Sequence, residues 1–272
     1  MLSSFIIALR EGLEAALIIS ILVAYVVKSN KRAFLRYIWS GVFLAIILSL
    51  GLGAILTFTS AELGTHGEQI FAGTTSFLAV ALVTWMVFWM KRTARTLRTD
   101  LAGKIENAFS VGPYALAGVA FLAVVREGLE TSLFVYANFK SSGDPRNSTL
   151  GLIIGFIAAI VLGYLIYKSA IHINLSNFFT YTGIALIIVA AGLLSHAVFE
   201  FQEIGFLPGA HLIAIDIHSI LSPDSFSAVL LSSSIGLGPT TSWLQLAIYM
   251  IYIVAVITRY LNKSTSRTVA TT

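Results

Sequence analysis

Arg-Glu-Gly-Leu-Glu occurs twice in this chain, at residues 10–14 and 126–130, each time inside a stretch otherwise apolar enough to cross a bilayer. An ionisable side chain at the centre of a membrane helix costs about 2.5–3.5 kcal/mol on insertion scales. Six such groups left unpaired would forfeit roughly 15–20 kcal/mol, more than the roughly 5–15 kcal/mol by which a typical domain is stable. Charges of this cost persist only when they are paired, solvated in a cavity or bound to an ion. The repeated pentapeptide therefore points to a cation site inside a membrane protein.

The rest of the composition agrees. Of the 272 residues, 57% are hydrophobic and 11% charged, and the mean hydropathy is +0.88; a soluble domain carries about 25% charged residues. Cysteine is absent, which excludes disulfides, thiolate metal sites and cysteine nucleophiles. A metal must then use oxygen and nitrogen ligands, favouring hard or borderline ions over copper(I). The net charge of +4 does not imply a nucleic-acid partner, because the basic residues cluster at the ends of apolar segments.

A spanning helix needs about 20 mostly apolar residues. Seven segments qualify, at about 3–27, 37–60, 69–90, 109–138, 148–168, 175–198 and 241–260. The start, Met1-Leu2-Ser3-Ser4, lacks the basic leader of a cleaved signal. Between the sixth and seventh segments, Pro208-Gly209, Ser222-Pro223-Asp224 and Gly236-Leu237-Gly238-Pro239 interrupt the apolar runs, predicting amphipathic or re-entrant pieces rather than an eighth span. Thirteen of the 17 basic residues fall on one side of this arrangement, including Lys28, Lys31, Arg32, Arg36, Lys91, Arg92 and Arg259. The positive-inside rule makes that side cytoplasmic, so the amino terminus is outside and the carboxyl terminus inside. Trp85 and Trp89, beside Lys91, suit an interfacial aromatic belt. Glu62, Glu68, Asp144, Glu200, Glu203, Asp216 and Asp224 gather outside with Lys140 and Arg146, a formal −5. Such a face concentrates cations, although it equally describes ordinary soluble loops.

The motif recurs after 116 residues, and each copy heads three predicted helices. A unit with an odd number of spans re-enters the membrane upside down, as in transporters built from inverted repeats with a site near the midplane. Residues three or four apart share a helix face. Glu11 and Glu14 therefore present two carboxylates together, as do Glu127 and Glu130, while Arg10 and Arg126 each stand four residues before the second glutamate. Gly12 and Gly128 leave room for a second helix or a hydrated ion. If the two helices face each other, four carboxylates against two guanidiniums leave a formal −2, a counter-charge for a di- or trivalent cation. The plainer alternative is two Arg–Glu pairs that lock helices. A second stripe, His196, Glu200 and Glu203, ends the sixth segment at i, i+4, i+7 spacing, as either an outer metal-handling group or a polar helix cap. Glu62, His66 and Glu68 in the first outer loop offer a further capture site. Asp216 lies in an apolar run, and His211 and His218 read as ordinary interface residues. Gly151-Leu152-Ile153-Ile154-Gly155 reads as helix-packing chemistry.

The paired motifs resemble those of the oxidase-dependent iron transporters, which comprise the fungal high-affinity iron permeases and the bacterial EfeU-type permeases. The bacterial branch is similar along nearly the whole chain, including Thr84-Trp85-Met86-Val87-Phe88-Trp89-Met90, Ala190-Ala191-Gly192-Leu193 and Gln202-Glu203-Ile204-Gly205. The resemblance implies iron import across the cytoplasmic membrane, with Glu11, Glu14, Glu127 and Glu130 as iron ligands. It also implies an extracytoplasmic iron-binding protein and a peroxidase or ferroxidase as partners.

The expectation is thus an all-α polytopic membrane protein of seven transmembrane helices, an inverted 3+3 repeat plus one extra helix. It forms one permease domain over 1–272, with repeat one at about 1–106, repeat two at about 107–203, and an outer loop and seventh helix at about 204–272. It is not an enzyme and has no cofactor; iron, as Fe³⁺ or Fe²⁺, is its cargo. Transport of another heavy divalent metal such as lead is the alternative. A carboxylate-bridged metalloenzyme is disfavoured, because helical-bundle enzymes of that kind add Glu-x-x-His pairs and neither motif helix has a histidine.

Overall fold

The computed structural model describes residues 1–93, 97–142, 145–168, 175–216 and 240–262. Helices occupy each of the seven apolar segments: α1 (Leu2–Lys28), α2 (Leu35–Glu62), α3 (Thr65–Thr93), α5 (Pro113–Ser142), α6 (Pro145–Tyr167), α7 (Leu175–Glu203) and α8 (Trp243–Leu261). Of these, α2, α3, α6, α7 and α8 are long and apolar enough to cross a membrane, and the chain is a multi-pass membrane protein. The helices α1 and α5 are as long but carry the three charges of the motif.

Two features depart from the sequence expectation. The basic stretch after α3 was expected as a loop leading into a segment from about 109. It instead contains a short helix, α4 (Leu97–Val111), whose Ile105 and Ala108 are buried against Leu22, Val26 and Leu116. The break falls at Gly112, with φ at +135°, a conformation that L side chains rarely adopt. Pro113 then opens α5, a position where its missing N–H costs nothing. The second departure is a two-stranded antiparallel ladder, β1 (Ile213–Asp216) with β2 (Thr240–Ser242), pairing Ile213 with Ser242 and Asp216 with Thr240. Of the region between α7 and α8 where re-entrant or amphipathic pieces were expected, residues 217–239, with His218 and Asp224, lie outside the described residues.

Packing is dominated by three helix pairs, α1 with α6, α2 with α5 and α3 with α7, and α1 crosses α5 at the centre. Small residues set the first two pairs. On α6, Gly151, Gly155, Ala159 and Gly163 run along α1. A Cβ on Gly155 would stand 2.7 Å from the Phe5 carbonyl oxygen, and one on Gly163 2.6 Å from Ala16 Cβ. On α2, Gly41 meets the Ala117 carbonyl, Ser49 meets Gly128, and Gly53 faces Ser132, whose hydroxyl donates to the Ser49 carbonyl at 2.6 Å. Lipid tails give apolar helices no hydrophobic reason to associate, so close backbone approach over small residues supplies the contact. The largest apolar core lies elsewhere, where Val83, Met86 and Val87 of α3 meet Leu186, Ala190 and Leu193 of α7, Phe134 of α5 and Tyr260 of α8.

Candidate functional site

The crossing of α1 and α5 brings the two motifs together. One carboxylate oxygen each from Glu11, Glu14 and Glu127 lie within 4.8 Å of one another, and all three residues are buried. That spacing suits a single bound cation, since oxygen ligands to Mg²⁺- or Ca²⁺-like ions sit about 2.0–2.6 Å from the metal. Glu130 is half-buried just beside them, within electrostatic reach of Glu11 and Glu14. Three of the four glutamates leave a buried oxygen without a hydrogen-bond partner among the described residues, Oε2 of Glu11, Glu127 and Glu130, while Oε1 of Glu14 has the Arg10 guanidinium at 3.2 Å. Buried acceptors are normally satisfied, so three unsatisfied oxygens at one place are unusual.

The two arginines, equivalent in sequence, do different things. Arg10 is 1% exposed and reaches both of its neighbours, with Nη1 donating to Glu11 Oε1 at 2.9 Å and Nη2 standing 3.2 Å from Glu14 Oε1. The sequence spacing had suggested support for Glu14 alone. The same Nη1 also donates to the Met86 sulfur at 3.0 Å, a contact that spacing does not reveal. Arg126 keeps the expected i, i+4 pair, its Nε donating to Glu130 Oε1 at 3.1 Å, but it is partly exposed. Its guanidinium lies over Trp89, 4.3 Å from the ring centroid, and 5.9 Å from that of Trp85. These tryptophans therefore shield a motif arginine, a cation–π role beyond the aromatic belt assigned from sequence. The motif glycines serve helix approach, with Gly12 against Ala159 and Phe156 of α6 and Gly128 against Ser49 of α2.

A crevice of about 1210 Å³ between α1, α2, α5 and α6 has Glu11 and Glu127 on its wall, with Tyr136 and Lys140 lining it toward the carboxyl end of α5. At that end the sequence-predicted outer residues divide. His196 Nε2 and Glu200 Oε1 are 3.3 Å apart, and both side chains are mostly buried. Glu68 joins them from α3 through Lys140, whose Nζ donates to Glu68 Oε1 at 2.5 Å and stands within electrostatic reach of Glu200 and His196. Glu203 is exposed at the edge. Glu62 ends α2 and His66 lies in the first turn of α3, both exposed, and His211 is exposed as well. Of Asp216 only the backbone, in β1, is described.

The chain matches the iron permease FTR1 family over residues 1–264. It belongs to that family. The FTR1 match is accompanied by curated relatives covering most of both chains. The "Ferrous iron permease EfeU" of Escherichia coli O6:H1 (strain CFT073) is 36% identical over 253 residues, 92% of this chain and 91% of its own. The protein of the same name from Yersinia pestis is 33% identical over 256 residues, 92% and 89% of the two chains. No solved structure matches the chain. Membership makes this FTR1 protein a permease and not an enzyme, with iron as cargo rather than cofactor.

Sequence reasoning missed several residues around the FTR1 motifs. Met86, Tyr136 and Lys140 are unremarkable in a linear reading and acquire their roles only through contact. Gln202 lies in a stretch quoted for family likeness; the fold shows it donating to the Pro208 carbonyl and accepting from the Ser242 hydroxyl, both at 2.9 Å. That hydroxyl also caps α8 with Gln245, so Gln202 fastens the end of α7 to the start of α8.

Proposed function

We propose that the chain imports iron across the cytoplasmic membrane as a seven-span permease. Its amino terminus is outside and its carboxyl terminus inside, and the ion passes a midplane site made by Glu11, Glu14, Glu127 and Glu130. The convergence of Glu11, Glu14 and Glu127 within 4.8 Å carries this reading. A hydrated cation arriving there exchanges water for carboxylate oxygens, while Arg10 and Arg126 hold part of the negative charge in check. The residual formal −2 favours a multivalent over a monovalent ion. Oxygen donors suit either oxidation state; the names of the EfeU relatives support the ferrous ion.

An inverted repeat of α1–α3 and α5–α7 is part of the same reading, supported by equivalent contacts. Gly12 against Ala159 corresponds to Gly128 against Ser49, Met1 against Gly151 to Ala117 against Gly41, and Ala16 against Gly163 to Ser132 against Gly53. One constant offset relates α1 to α5, another relates α2 to α6, and the α3–α7 pair maps onto itself. Alternating access then follows from one repeat rocking against the other about the central crossing. Capture by His196, Glu200, Glu203 and Glu68, with Glu62 further out, precedes this step. Delivery by an extracytoplasmic iron-binding protein, with a peroxidase or ferroxidase, completes the proposal and rests on the family resemblance.

Radio-iron uptake by purified protein in liposomes tests the function. Uptake above protein-free liposomes, lost in a folded Glu11→Gln/Glu127→Gln variant, is the expected result. Folded wild-type protein that moves no iron would overturn it.

A further inference from the structure

The motif glutamates account for the centre of the molecule but not for Lys140. Among the described residues this is the one lysine that lines the central crevice, and it stands where the crevice meets Glu68 and Glu200. Its Nζ is 2.5 Å from Glu68 Oε1 on α3, with Glu200 and His196 of α7 in electrostatic reach. Two neighbouring helices thus place polar groups around the ammonium that α5 carries. The Nε2 atom of His196 is buried there, 3.3 Å from Glu200 Oε1 but without hydrogen-bond geometry to it. One helical turn nearer the motif on the same face of α5, the Tyr136 hydroxyl is also buried and unpartnered among the described residues, and its residue lines the same crevice.

We propose that Lys140 is a tethered counter-ion that occupies the outer mouth and must be displaced by the arriving cation. This rests on the transport reading above and gives the mouth a selectivity of its own. Exchanging an ammonium for a monovalent cation returns no net Coulomb energy, whereas a divalent or trivalent ion gains at least one further unit of attraction to Glu68 and Glu200. The flexible four-carbon stem lets the ammonium swing aside without moving the backbone. The Tyr136 hydroxyl, unpartnered among the described residues, and the His196–Glu200 pair then stand next to the ion as it leaves Glu68 for Glu127. A purely structural Lys140–Glu68 pair, exposed by about a third and two-fifths respectively, would contribute little to stability.

The test is Fe²⁺ titration of purified full-length protein in detergent, without oxygen, in a Glu11→Gln/Glu127→Gln background that silences the centre. Lys140→Gln is expected to tighten outer binding roughly tenfold, the effect of about one screened unit charge. Lys140→Arg, which forks carboxylates more tenaciously, is expected to weaken it several-fold. Unchanged or weaker binding in a folded Lys140→Gln protein overturns the proposal. Should that variant fail to fold, Lys140→Arg decides: weaker binding supports the tethered counter-ion and unchanged binding overturns it. Iron uptake by protein with an intact centre is measured separately. A shift in binding without any wild-type uptake would overturn the transport reading alone.

Discussion

Gly12 of α1 meets Ala159 of α6 so closely that a Cβ on the glycine would stand 2.8 Å from that of the alanine. No real pair of Cβ atoms sits at that distance, so the two helices must separate if the glycine is replaced. Gly12→Ala is expected to cost about 1–3 kcal/mol, the usual penalty for overpacking, and to displace Glu11 and Glu14 with it. Gly12→Ala/Ala159→Gly restores the space. Thermal melts of both variants check this, with recovery in the double variant as the expected result. On the other side, Gly128→Ala paired with Ser49→Gly is expected to behave alike.

Among the motif carboxylates, Glu11, Glu14 and Glu127 form the tight group and Glu130 stands beside it, held by Arg126. Glu→Gln at each of the first three removes a charge with little change of volume. We expect each to lower the rate of iron uptake at least tenfold, about 1.4 kcal/mol of lost stabilisation, and Glu130→Gln to lower it less. Initial rates in liposomes at matched protein content give the ranking. Wild-type rates in any two of the inner three would remove the site.

The contrast between Arg10 and Arg126 predicts unequal tolerance. Arg10 spans Glu11 and Glu14 in full burial, a geometry that an ammonium cannot reproduce. Breaking a buried charge pair costs about 3–5 kcal/mol, so Arg10→Met is expected to abolish folding and Arg10→Lys to lower the melting temperature. Arg126→Lys keeps a charge near Glu130 and loses mainly the stacking on Trp89, worth about 0.5–2 kcal/mol. Melting temperatures of the two lysine variants, compared side by side, test the order.

At the proposed outer mouth, Glu200 is mostly buried beside His196 whereas Glu203 is exposed. Glu200→Gln is expected to raise the iron concentration for half-maximal uptake several-fold with a smaller effect on maximal rate, and Glu203→Gln to do so weakly. Uptake curves over a range of iron concentrations separate these outcomes. A collapsed maximal rate with unchanged half-saturation would place Glu200 on the translocation path itself.

Gln202 joins α7 to the cap of α8 by two hydrogen bonds. Gln202→Leu leaves the buried Ser242 hydroxyl without an acceptor, although it still accepts from the Gln245 N–H, and is expected to cost about 1 kcal/mol or somewhat more. A lowered melting temperature with α8 opening first, followed by hydrogen exchange across 243–261, is the expected signature.

The sequence alone was sufficient for the seven long helices and for singling out the motif carboxylates. A bilayer demands apolar runs of fixed length, so the helix positions are written in hydropathy, and an intramembrane glutamate is too costly to be incidental. The proposed inverted duplication is legible in the sequence only as one repeated pentapeptide. The small residues that share it, Gly41 with Gly151 and Gly53 with Gly163, show their correspondence only through what they touch, because many small-residue patterns satisfy close packing equally well. The helix α4 escaped a hydropathy reading because it is short and polar, and the β1–β2 pair because it is three or four residues a side. Which helices cross was likewise undetermined. The α1–α5 contact makes three glutamates from two distant segments into one group, and the α3–α5–α7 meeting makes Glu68, Lys140 and Glu200 neighbours. Hydropathy specifies which residues enter the membrane, a one-dimensional property of each segment. Charge pairing depends on distances of a few ångströms between segments, and those exist only after the helices have packed.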